Sequence, residues 1–69
     1  MFDESKAIVD NIRAKRINYI ITRVKLKKSN DIFYFLDESD NVINHTTNLN
    51  VVNEVVKKLL DLNYFIYFS

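Results

Sequence analysis

The residues best equipped for chemistry fall between positions 37 and 48. Ser39, Asp40 and the only histidine, His45, are the side-chain types of a hydrolytic triad. A triad works only when the serine is presented on a strained turn with the base aligned behind it, and nothing around Ser39 resembles such a nucleophile elbow. These three residues are therefore read as turn and sheet-edge side chains, and no catalytic residue is expected. The segment Asp37-Glu38-Ser39-Asp40-Asn41 places oxygen ligands at alternate positions, like the opening of a calcium loop. Such a loop needs glycine at its sixth position and glutamate at its twelfth, where this chain has Val42 and Asn48. A solvated acidic β-turn is the simpler reading.

What the chain lacks narrows the chemistry further. With no glycine, neither the dinucleotide fingerprint nor the P-loop can form, because both need backbone to approach phosphate closely. With no cysteine and one histidine, there is no thiol nucleophile, thiolate zinc site or histidine pair for a metal. No metal site and no cofactor are expected. Asn44-His45-Thr46 matches a glycosylation acceptor, but the start MFDESK is acidic rather than a basic stretch leading into an apolar run. The longest apolar run is five residues, against the roughly 20 of a membrane helix. The expectation is a soluble, cytoplasmic protein with no membrane contact.

One charge asymmetry remains. Arg13, Lys15, Arg16, Arg23, Lys25, Lys27 and Lys28 lie between positions 11 and 28 with no acid among them. This segment is a candidate contact for phosphates, with Tyr19 as a stacking platform beside Arg23 and Lys25, or for an acidic protein surface. Against a nucleic-acid footprint stand the net charge of only +1 and the ordinary use of lysine to protect a strand edge.

The elements that must carry these residues follow from periodicity. Residues 3 to 15 predict a helix capped by Asp3, with Phe2 stapled onto Ala7 and with Ile8 and Ile12 on one face. From Ile17 to Lys27 the period changes to two, with Ile20, Thr22, Val24 and Leu26 on one side and Tyr19, Ile21, Arg23, Lys25 and Lys27 on the other. Ser29-Asn30-Asp31 predicts a turn into a second strand, Ile32 to Asp37, and residues 38 to 41 a turn into a third, Val42 to Thr46. Thr47 or Asn48 caps a second helix with Val52, Val55, Val56, Leu59 and Leu60 in its apolar stripe. Asn63 closes that helix in the left-handed conformation, and Tyr64 to Phe68 forms a fourth strand.

The order α-β-β-β-α-β implies a small two-layer α+β domain spanning residues 1 to 69, mainly antiparallel, with the last strand expected parallel to a neighbour, beside the first. Its apolar faces exceed what two layers need. The second strand is apolar on both sides and so is the fourth, so either the helices cover opposite faces or one face stays in water. A face containing Phe33, Phe35, Phe65 and Tyr67 would then serve a partner or a second copy of the chain.

Asn, Ile, Lys, Phe, Tyr and Met, whose codons are A/T-rich, supply 34 of the 69 positions, as in many genes of phages and mobile elements. The helix, three-stranded meander, helix layout is similar to that of some small phage-encoded inhibitor proteins, certain anti-CRISPR proteins among them. It assigns no residue a role. The expected function is non-enzymatic: binding another macromolecule, and inhibiting or modulating it, through protein contact, with nucleic-acid binding as the alternative.

Overall fold

The computed structural model describes residues 2–15 and 23–68. It contains helix α1 (Glu4–Ala14), strands β1 (Arg23–Ser29), β2 (Ile32–Leu36) and β3 (Val42–Thr46), helix α2 (Leu49–Asp61) and strand β4 (Phe65–Phe68). The element order agrees with the periodicity. Residues 17 to 22 of the expected first strand lie outside the described residues.

Both helices start on side-chain caps. Asp3 accepts the Lys6 N–H at 3.1 Å and the Ser5 hydroxyl at 2.7 Å, satisfying an amide that the first turn leaves without a helical partner. Phe2 is 79 % exposed, so the expected staple onto Ala7 does not form. At the second helix the cap is Asn48, which accepts from Asn50 N–H at 2.9 Å, while the buried Thr46 hydroxyl accepts from Asn48 N–H.

The strands run in the order β3-β2-β1-β4, with β1–β2 and β2–β3 antiparallel and β1–β4 parallel. The sheet is therefore mixed. Helix α2 carries the chain from one edge strand across to the other, and β4 arrives beside β1 as the length of the connection allows. The β1–β2 hairpin turns through Asn30 and Asp31, both at positive φ, which matches the twist of a two-residue connection.

One core serves the domain. Ile8, Val9 and Ile12 of α1 and Val52, Val55 and Leu59 of α2 pack onto Val24, Leu26, Phe35 and Tyr64. All the strand residues in that cluster point to one face, so both helices lie on the same side of the sheet; no described helix or strand lies over the other side, where Leu36 is nonetheless buried. The apolar stripe of α2 is narrower than expected: Leu60 is exposed, and Val56 is half-buried at the margin of the core.

Candidate interaction surface

Register decides which side chains share the uncovered face. Residues paired across neighbouring strands point the same way. Arg23 pairs with Phe65, Lys25 lies between Tyr67 and Leu36, Lys27 pairs with Tyr34, and Tyr34 pairs with His45. The face away from the helices thus carries a row of three cations along β1, flanked by aromatics on both neighbouring strands. Two ring contacts lie on this face: the Arg23 guanidinium sits 6.0 Å from the Tyr67 ring centre, and the Tyr34 and His45 rings are 6.1 Å apart. The first is a cation–π geometry at an exposed site, of the kind worth roughly 0.5–1 kcal/mol.

The β2–β3 turn supplies the opposite charge. Asp37 accepts the Ser39 and Asn41 N–H groups, each at 2.9 Å, and its own N–H donates to the Asn41 carbonyl. Asp40 takes positive φ to close the turn. Those hydrogen bonds, led by the Asn41 amide, favour the charged form of Asp37 and hold its carboxyl below the usual 3.8. The ordered turn then brings Glu38 to 3.8 Å from Arg23 and Asp40 into hydrogen bond with Lys25. Arg23, Lys25, Glu38 and Tyr67 line an open concavity of about 460 Å³. Among the described residues Lys27 has no carboxylate within ion-pair distance.

The basic segment is divided by the fold. Arg23, Lys25 and Lys27 share the uncovered face, whereas Lys28 alternates to the other side and lies 5.8 Å over the Phe33 ring. Arg13 is exposed in the last turn of α1, in the helical layer. Arg16 and Tyr19 lie outside the described residues.

The aromatic set is divided too, and here the expectation needs correction. Phe35 is fully buried under the helices and Phe33 packs half-buried against the same core, so neither belongs to a surface with Phe65 and Tyr67. The reason is register: Leu26 pairs with Phe35, which commits the odd residues of β2 to the core, while Arg23 pairs with Phe65, which commits the odd residues of β4 to the opposite side. Phe65, 64 % exposed, and Tyr67 remain on the uncovered face. Residue periodicity missed Tyr34, Glu38, Asp40 and His45 as members of this surface. Only Tyr34 left a trace in the sequence, because it shares the parity of Ile32 and Leu36.

Ser39 and His45 make no hydrogen bond to one another: the Ser39 amide is held by Asp37, and the His45 amide by the neighbouring Asn44 side chain. Among the described residues no three His, Cys, Asp or Glu side chains gather as metal ligands, and no helix is long and apolar enough to cross a membrane. No protein-family model, curated protein or solved structure matches the chain.

Proposed function

We propose that this is a non-enzymatic interaction protein that binds another protein through the uncovered face of its sheet and thereby inhibits or modulates it. The observation that carries the reading is the composition of that face: exposed Tyr67 and Phe65 beside Arg23, with Glu38 and Asp40 already balancing two of the cations. Tyrosine and arginine are the side chains that most often dominate protein interfaces. A face presenting three cations and two acids suits a partner of mixed polarity better than a uniformly anionic one. The A/T-rich composition supports origin in a phage or mobile element.

The test is capture from a cytoplasmic extract with the wild-type chain and with Tyr67→Ala and Lys27→Glu variants. The expected result is a protein held by the wild type and lost by both variants. An identical set of captured proteins for all three would overturn the reading.

Nucleic-acid binding is the second reading, favoured by aromatic rings interleaved with the cations of β1. It requires affinity that falls steeply with salt, by about one counterion per phosphate neutralised. Binding to single-stranded DNA or RNA that is abolished by Arg23→Glu plus Lys25→Glu would favour it. No binding at low salt would remove it.

A further inference from the structure

The two edges of the sheet are built differently. Along β3, the pairing with β2 shifts register at Phe35 and Leu36, a bulge of the kind that twists an edge away from further pairing. The Asn44 side chain also accepts the His45 N–H at 2.8 Å, so one backbone donor of that edge strand is already occupied. Among the described residues, strand β4 shows neither a bulge nor a side chain on its backbone donors. Phe65-Ile66-Tyr67-Phe68 holds four consecutive apolar residues without proline or charge, and its register with β1 is unbroken. Among the described strands nothing pairs with its outer side.

Exposed apolar surface concentrates at the same edge. Of the eight large apolar side chains exposed among the described residues, Leu60, Leu62, Phe65, Tyr67 and Phe68 lie on β4 or on the end of α2 that leads into it. Phe68 is 76 % exposed.

We infer that β4 pairs antiparallel with β4 of a second copy of this chain, joining two four-stranded sheets into one of eight. The occupant is identified by self-complementarity. A two-fold pairing centred on Ile66 sets Phe65 opposite Tyr67 of the second copy, and Tyr67 opposite Phe65 of the second copy, so both aromatic cross-strand pairs form on the same face. A net charge of +1 puts little repulsion between copies. Because the β3 edge is bulged, the pairing closes at two copies instead of continuing as a fibre. The inference shares Phe65 and Tyr67 with the partner-binding reading but concerns the backbone edge of β4, whereas Lys27 and Tyr34 belong to the face alone.

Sedimentation equilibrium and concentration-dependent amide exchange on the full chain test it. The expected mass is twice 8.2 kDa, with exchange at the β4 amides slowing as concentration rises while β3 amides are unaffected. Tyr67→Lys returns the mass to that of a monomer with unchanged far-UV circular dichroism, and Tyr34→Lys, on the same face but away from the edge, leaves the dimer intact. A monomer at high micromolar concentration overturns the inference. So does a dimer whose β4 amides exchange at a rate independent of concentration, which would place the contact elsewhere. The exchange measurement uses the wild-type chain, so it stands even if a variant fails to fold.

Discussion

Among the described residues Asn30, Asp31, Asp40 and Asn63 hold positive φ, in a chain without a single glycine. Asparagine and aspartate tolerate that conformation because their short side chains bond locally, but a Cβ in the left-handed region still costs about 1–2 kcal/mol for an ordinary residue. At Asp31, the second central residue of the β1–β2 turn, glycine would remove that cost and lose roughly 0.5–1 kcal/mol to chain entropy. The strain term is the larger, and Asn-Gly is the pair this turn prefers. Asp31→Gly is therefore expected to stabilise the protein by about 0.5–1 kcal/mol, read as a higher urea midpoint at unchanged slope. Asp37 gives the second residue-scale prediction. Its carboxyl is held below 3.8 in the folded chain, as is that of Asp3, whose Ser5 and Lys6 hydrogen bonds favour the anion. Each group binds its proton more weakly folded than unfolded, so its contribution is present above 3.8 and fades as pH falls through the lowered folded value. The urea midpoint should decline as pH falls from about 3.8 through that lowered value, and Asp37→Asn should lower it at neutral pH while flattening the decline.

At the scale of elements, the end of α2 explains why a terminal aromatic segment is ordered. Asn63 N–H donates to the Leu60 carbonyl at 3.0 Å and Tyr64 N–H to the Leu59 carbonyl at 2.9 Å, the paired bonds of a Schellman cap, and Tyr64 packs beside Leu59 in the core. The cap aims the chain back along the sheet and delivers β4 to β1. Leu59 and Leu60 are chemically identical neighbours with opposite fates, the first fully buried and the second more than half exposed. Leu59→Ala should cost about 2–5 kcal/mol of stability, and Leu60→Ala less than about 0.5 kcal/mol. Chemical denaturation of the two variants separates core from rim. The sequence revealed this much because local signals agreed: the cap residue, the change of period and the turn residues all named the same boundaries. It was silent on the face of β2, where Ile32, Tyr34 and Leu36 are as apolar as Phe33 and Phe35. Only the pairing of Leu26 with Phe35 resolves that choice, and pairing is a long-range property. The same holds for Glu38 and Asp40, which meet cations 15 positions away through a turn whose geometry no periodicity encodes.

At the scale of the whole molecule, the chain has 69 residues, and those described enclose a core with both helices on one side of the sheet. A domain of this size buries only about 60% of the surface its unfolded chain exposes, so its margin of stability is narrow. Self-association through β4 would add to that margin by mass action, since a second copy binds the folded edge and not the unfolded chain. Stability and association then become one measurement. The melting temperature should rise with protein concentration in the wild type and become independent of it in Tyr67→Lys, where a charge on the edge strand opposes pairing. For a domain of this length, each 1 kcal/mol of linkage moves the midpoint by about 4–8 °C, well within reach of a dilution series. A wild-type midpoint that does not move across that series would mean that the edge contributes nothing to stability. The exposed aromatics of β4 would then answer only to a different protein.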